Sequence, residues 1–422
     1  MIKRVIILDG GSAGFIAALA LKSKLRDLQV LVIRSKDIGI IGVGEGSTPA
    51  LTRFLHEYLG MNLKKFFAVA QPTWKLGLRF LWGPRPYFNY SFSFSQLPGE
   101  VKQLPRIKAY YCRDEMDYED PFSALMSQDR IFERSVKGDP LIHPGIAYHF
   151  ENEKFVRFLE EYAVALGVII ADDKVMEVEQ DDGGVAALRL ESGRRETADL
   201  YVDASGFVSL LLGKTLREPF VSYDKTLFCD RAVAGGWDRK DPEETVIKPY
   251  TTCETMDSGW CWQIEHEHRI NRGYVYSSGF ISDEEAEKEF RAKNPKAGPI
   301  RLVRFVSGRY RNHWVKNVVA VGNAGGFVEP LEATSLGVIA GECSILTGTL
   351  KELEGKATPT IRKQFNRYQA ILWDDIRDFL SIHYRFNKRL DTAFWRHCGE
   401  AADLAGAAEL VEVYRENGPC YV

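Results

Sequence analysis

Val5-Ile6-Ile7-Leu8-Asp9-Gly10-Gly11-Ser12-Ala13-Gly14-Phe15 is the stretch that decides the fold. Residues 5–8 form a β-branched apolar run of strand length. Residues 9–14 turn the chain, and residues 15–21, rich in Ala and Leu, continue as a helix. A second strand, residues 30–33, follows at the spacing of a βαβ unit. Such a turn aims backbone N–H groups and a positive helix end at a pyrophosphate. Gly11 and Gly14, flanking Ser12 and Ala13, fill the second and third glycine places of the dinucleotide pattern. Asp9 fills the first, and Arg34 stands where an acid would hold a ribose hydroxyl. A plain βαβ corner is the alternative.

A chain of 422 residues exceeds one core's comfortable size, so two or three packed domains are expected. The net charge of -3 gives no reason to expect a nucleic-acid partner. Aromatic residues make up 12%, which suits a ring-lined pocket as well as thick cores. The 7 cysteines are scattered, odd in number and never CxxC, so they read as reduced thiols rather than a disulfide frame or zinc site. With no signal peptide and no apolar run of spanning length, a cytoplasmic protein without a membrane partner is expected.

After the second strand, four glycines lie within eight residues in Gly39-Ile40-Ile41-Gly42-Val43-Gly44-Glu45-Gly46-Ser47-Thr48-Pro49, which points to backbone brought close to a ligand. Residues 50–59 are helical. Residues 71–82 alternate as one strand, with Trp74, Leu76, Leu78 and Phe80 on one face and Lys75, Gly77 and Arg79 on the other. Residues 84–144 read as an insertion of loops and short helices, part of a substrate cover, and residues 106–120 as a solvated loop within it. A helix over 148–166 precedes a strand at 168–170 and a hairpin of 175–179 with 185–190. Residues 200–203 and 318–321 are strands that run into small-residue turns at Asp203 and Gly322. Residues 227–237 and 248–281 form antiparallel strands, 332–346 a helix, and 360–395 a helical tail. The turns at Asp9, Asp203 and Gly322 make sense around one dinucleotide, because strands of a doubly wound sheet present their carboxyl ends to one crevice.

The chain resembles the flavin-dependent tryptophan halogenases, within the glutathione-reductase-type FAD monooxygenase fold. The resemblance rests on several segments in order: Gly10-Gly11-Ser12-Ala13-Gly14-Phe15, Val43-Gly44-Glu45-Gly46-Ser47-Thr48-Pro49, Thr73-Trp74-Lys75 and Asp203-Ala204-Ser205-Gly206-Phe207. It continues through Trp260-Cys261-Trp262-Gln263-Ile264, His268-Arg269, Gly273-Tyr274-Val275-Tyr276-Ser277-Ser278, Phe327-Val328-Glu329-Pro330-Leu331-Glu332-Ala333-Thr334-Ser335 and Asp391-Thr392-Ala393-Phe394-Trp395. It implies an α/β fold: a discontinuous FAD-binding domain over 1–83, 145–215 and 300–358, an inserted antiparallel sheet and cover over 84–144 and 216–299, and C-terminal helices over 359–422.

The family mechanism uses FADH2 from a separate flavin reductase, dioxygen addition to give a C4a-hydroperoxide, and attack by chloride or bromide. Hypohalous acid then travels to a lysine beside an aromatic substrate. Lys75 matches that lysine and Glu332 the carboxylate facing it. Thr334, with Ser335, falls in the segment that binds halide near the flavin. Trp260 and Trp262 match the tryptophans of a WxWxIP signature that shields substrate from the flavin. The resemblance places FAD against Gly11, Ser12, Ala13, Gly14, Arg34, Val43, Gly44, Glu45, Gly46, Ser47, Asp203, Gly322, Gly326 and Phe327. Taken alone, Lys75 is a solvated strand lysine, Glu332 a helix N-terminal acid, and the two tryptophans core residues.

Departures from the family pattern are Glu265 for the signature proline, Ala333 for the serine after the glutamate, and Ser335 for a glycine. The chain also stops soon after Trp395, which suggests a pocket open to an aromatic side chain in a peptide. The main expectation is halogenation of an indole- or phenol-like arene, small or peptide-borne. The alternative is a monooxygenase that hydroxylates a tryptophan-type side chain in a peptide or protein, and a third reading is a flavin-binding partner without turnover. His266 and His268 could share a strand face as metal ligands, but no Cys or Asp cluster joins them, so no metal is expected.

Overall fold

The computed structural model describes residues 1–36, 44–92, 120–141, 145–240 and 246–418. They divide into two compact units: Met1–Pro72, Phe150–Asp224 and Phe305–Asp374 form unit one, and Thr73–His149, Lys225–Arg304 and Asp375–Val422 form unit two. Within the described residues, no helix is long and apolar enough to cross a membrane.

Unit one is built around β1 (Arg4–Leu8), α1 (Ser12–Lys24) and β2 (Gln29–Arg34). Val5, Ile6 and Ile7 have no exposure, as expected for a parallel strand covered on both faces. Helix α1 is buried continuously over residues 14–21, so it is apolar all round rather than amphipathic. It packs against the helices Asn152–Ala165 and Ser335–Glu352. The sheet runs in the order Ile169–Asp172, β2, β1, Leu200–Asp203, Val318–Ala320, all parallel, with Trp314–Val315 as an antiparallel edge. Leu8 lies opposite both Ile33 and Asp203, and Asp203 opposite Ala320. The turns after these strands therefore leave from one edge of the sheet. The hairpin Val175–Asp181 with Gly184–Leu190 forms where the sequence places it.

Unit two holds a seven-stranded sheet in the order Arg301–Arg304, Arg231–Asp238, Arg269–Tyr276, Gly259–Glu265, Tyr250–Met256, Gly77–Leu81, Phe88–Ser91. All pairs are antiparallel except Tyr250–Met256 with Gly77–Leu81. The helix Asp283–Lys293 starts at a capping box in which Ser282 and Glu285 satisfy each other's backbone N–H groups.

Three expected elements are redrawn. Residues 71–82 are two strands, Thr73–Lys75 and Gly77–Leu81, which pair with different partners, Ala147–Phe150 and Tyr250–Met256. Leu76 makes the break, donating to Pro249 O at 2.7 Å and accepting from Phe92 N at 2.8 Å. Alternation shows a strand's period but not its partner, so the change of sheet leaves no trace in the pattern. The helix over 148–166 starts only at Asn152, because residues 147–150 are a strand and Glu151 stays extended. The tail forms the helices Pro359–Phe386, Ala393–Ala401 and Ala407–Asn417 rather than one helical run to residue 395. Asn387 Oδ1, accepting from Arg389 N at 2.8 Å, organises the first gap.

In the inserted stretch, the described residues form Phe88–Ser91, the helix Pro121–Ser127 and a two-stranded ribbon of Glu133–Arg134 with Pro140–Leu141. The solvated loop expected over 106–120 lies outside the described residues, save Asp120, which caps that helix.

Candidate active site

In unit one the residues of the first turn come together as a cradle. Asp9 sits at φ +94, a conformation that favours glycine, and its carboxylate accepts from Gly10 N at 2.8 Å. A Cβ at Gly14 would lie 2.0 Å from the Asp9 carbonyl oxygen, so only glycine lets α1 close on the turn. Gly11 is the N-cap of α1 and makes no side-chain cap bond, which leaves the first-turn amides of Ser12 and Ala13 for an outside acceptor. Burial raises the Asp9 carboxyl above its usual range, and the nearby Asp203 adds to the rise.

Arg34 lies across this turn, with its Cδ 2.7 Å from where a Gly10 Cβ would stand. Both terminal nitrogens of its guanidinium bond Glu160, each at 2.5 Å. Asp203 is fully buried and ties its own turn: Oδ2 accepts from Leu211 N (2.7 Å) and Leu212 N (2.9 Å), and Oδ1 from Ser205 N and Oγ. Desolvation pushes its carboxyl up. Gly322, at φ +59, packs beside Ala13, 3.2 Å from a Cβ built there.

Of the residues 43–47, Val43 lies outside the described residues. Gly44 takes φ +88, Glu45 and Gly46 are half-buried, and Ser47 is buried. Glu45 accepts from Asn152 Nδ2 at 2.5 Å, and desolvation pushes its carboxyl up to about 7. Gly337 brings the helix Ser335–Glu352 within 2.9 Å of Thr48 Oγ1, measured from a Cβ built on the glycine. Gly326 and Phe327 form a short strand, and the Phe327 ring stands edge-on to Phe207 at 4.9 Å and Phe305 at 5.0 Å. Glu332 is buried and precedes Ala333, which takes φ +53. The helix begins at Ser335 with Thr334 as its N-cap, so Glu332 is not an acid of its first turn. Glu329, with no exposure, is a further buried carboxyl side chain, to which sequence reasoning assigned no role.

These features fit FAD: an uncapped helix start, a turn too tight for any side chain at Gly14, and three strand ends at one sheet edge.

In unit two Lys75 has no exposure, which overturns its reading as a solvated strand residue. Its ammonium lies 5.1 Å from the Phe92 ring centroid. On the paired strand His149 stands opposite Thr73, on the face that carries Lys75. His149 is fully buried and its Nε2 lies 2.9 Å from Thr251 Oγ1. Desolvation, then the charges of Lys75 and His266, hold its imidazole well below the usual value. Sequence reasoning missed His149; the period-2 run Ala147-Tyr148-His149-Phe150 was the signal, hidden inside an assumed helix.

Thr73 Oγ1 donates to the carbonyl of Glu265, which ties the lysine strand to the end of the tryptophan strand. Glu265 itself is buried, ion-paired with Arg239 and bonded by Gln263 Nε2 at 2.6 Å. Trp260 and Trp262 share a face with ring centroids 6.1 Å apart, both buried. Neither indole N–H finds a partner among the described residues. Trp262 lies flat over Gly273, where a Cβ would approach its ring to 2.0 Å. Cys261, between them, is a buried thiol whose pKa burial raises. His266 and His268 do not share a strand face: the strand ends at Glu265, His266 is buried and His268 is exposed. No group of three His, Cys, Asp or Glu fit to hold a metal occurs among the described residues.

A parallel sheet with this glycine cradle, in a chain that also carries a separate antiparallel-sheet unit, defines an FAD-binding flavoprotein of Rossmann-like architecture. The tryptophan halogenase family model matches residues 4–421. A tryptophan 7-halogenase of Kutzneria is 34% identical, covering 99% of this chain and 82% of that protein. The crystal structure of a lanthipeptide tryptophan 5-halogenase is 40% identical with a TM-score of 0.86, covering 98% of this chain and 78% of that one. A flavin-dependent halogenase from Xanthomonas campestris is 30% identical with a TM-score of 0.88, covering 100% of this chain and 85% of that one. The chain belongs to the tryptophan halogenase family. It is an FADH2- and O2-dependent halogenase of an electron-rich aromatic, an oxidoreductase that uses FAD with halide. These relatives are halogenases, which sets the hydroxylase alternative aside.

Proposed function

We propose that this halogenase acts on an indole, with Lys75 holding the oxidised halide, and that the indole is a tryptophan side chain carried by a peptide. The observation that carries the role of Lys75 is its complete burial beside a neutral, buried His149. The peptide substrate is supported by the lanthipeptide tryptophan 5-halogenase, to which identity is higher than to the other two relatives named.

Bound as FADH2, delivered by a separate flavin reductase, the cofactor supplies the activation of dioxygen that oxidises chloride or bromide. The first-turn amides of α1, after Gly11, bind its pyrophosphate, and Gly14 and Gly322 let the backbone close around it. Thr334 and Ser335 hold the halide. The Nζ of Lys75 hydrogen-bonds hypohalous acid or, as the free amine, takes its halogen to form a haloamine with release of water. Trp260 and Trp262 exclude substrate and water from the flavin side. The carboxylate of Glu332 takes the proton that the arene loses when halogen replaces it.

Incubation with flavin reductase, NADH, FAD, oxygen and bromide should give a bromine isotope pattern on a tryptophan-containing peptide, and none without halide. The peptide should be used with a higher kcat/KM than free tryptophan. An oxygen mass gain independent of halide would refute halogenation, and a preference for free tryptophan would refute the peptide substrate.

A further inference from the structure

We infer that Glu342 is a positioning residue for the flavin, acting through the glycine turn that follows the strand Val318–Ala320. This rests on the assignment of Gly322 to the flavin cleft and adds a residue outside that assignment.

Glu342 lies on the helix Ser335–Glu352 with no exposure, an expensive place for a carboxylate unless donors surround it. Its Oε2 accepts from Gly322 N at 2.8 Å. Its Oε1 accepts from Trp373 Nε1 at 3.1 Å and lies 3.6 Å from His313 Nδ1. His313 and Trp373 are buried as well.

The imidazole lies against the turn: a Cβ on Gly325 would come within 2.7 Å of His313 Nδ1. Gly325 N donates to Gly322 O at 2.8 Å and Ser209 Oγ to Ala324 O at 2.8 Å, so the far side of the turn is closed by other bonds. The near side depends on Glu342.

Glycine adopts positive and negative φ with similar ease, so sequence alone does not select φ +59 at Gly322. The bond from Gly322 N–H to a buried carboxylate fixes the Val321–Gly322 peptide plane from which that φ departs, because turning the plane strands a buried donor. The selected conformation sets Gly322 against Ala13, in the first turn of α1. Glu342 therefore does not bind cofactor itself. It turns the Gly322 amide inward and holds the turn in the shape that flanks the anion-binding helix start.

The test uses the asymmetry of an amide. A carboxylate accepts at both oxygens, whereas glutamine accepts at one and presents an NH2 at the other, so Glu342→Gln must face either Gly322 N–H or Trp373 N–H with a donor. Trp373→Phe removes one of those donors and frees the glutamine oxygen for Gly322. Apo-protein is titrated with FAD, read by flavin fluorescence and the visible band shape, with circular dichroism as the check on folding. Glu342→Gln should raise the FAD Kd about 10-fold. Trp373→Phe should stay within about threefold of wild type, and the double variant should bind FAD more tightly than Glu342→Gln alone.

A Kd within twofold of wild type for Glu342→Gln overturns the inference, and so does a double variant no tighter than that single one. Gly14→Ala separates the two levels. If it loses FAD while Glu342→Gln does not, the cleft stands and the role of Glu342 falls; if it binds FAD like wild type, the cleft assignment itself falls.

Discussion

Lys75 shows how much a single side chain's surroundings decide. The lysine type supplies an amine; burial, Phe92 and the neighbouring His149 supply an amine kept from water. Lys75→Ala should cut product formation by roughly 10²–10⁴-fold while FAD binding is retained. Product mass and a flavin titration on the same sample check this, and near-normal halogenation would remove the lysine from the mechanism. Glu45 gives a pH-dependent counterpart. Its folded carboxyl titrates near 7 against an ordinary 4.5, so the folded state prefers the protonated form. That preference stabilises the protein fully below about 4.5 and is lost as pH rises through about 7. Glu45→Gln should therefore flatten the fall in stability between those two values, measured by thermal melting across pH. An unchanged slope would show that Glu45 ionises normally.

At the scale of elements, the first turn was legible because its chemistry is local. Strand, glycines and helix are contiguous, and the requirement at Gly14 comes from the Asp9 carbonyl only five residues away. Gly14→Ala should abolish FAD binding and lower stability by about 1–3 kcal/mol, checked by titration and urea unfolding; wild-type affinity would remove this turn from the flavin site. The strand over 71–82 was legible as extended chain but not as two strands, because the exchange of partners at Leu76 follows from residues 147–150 and 250–256. Trp260 and Trp262 were legible as sharing a face; that Trp262 needs Gly273 beneath it was not, since the two meet only through pairing. Gly273→Ala should displace the Trp262 ring and shift tryptophan fluorescence, and an unchanged spectrum would contradict the close approach.

The whole molecule assembles each unit from three separated segments. Trp395, near the chain's end, donates to Met256 O at 2.8 Å and stacks on Tyr384 at 5.7 Å, all within unit two. Trp395→Ala should cost roughly 3–5 kcal/mol, seen as an earlier urea transition; a loss below 1 kcal/mol would mean the tail helices contribute little to that unit. By itself the sequence determined the local matters: the glycine turn, the strand and helix periods, and the motifs shared with the halogenases. Only the tertiary structure decided that Lys75 is dry, that His149 stands beside it, and that Glu342 holds the amide of Gly322. Burial and long-range hydrogen bonds depend on which segments cover and pair with one another, and a linear pattern does not encode its own partners.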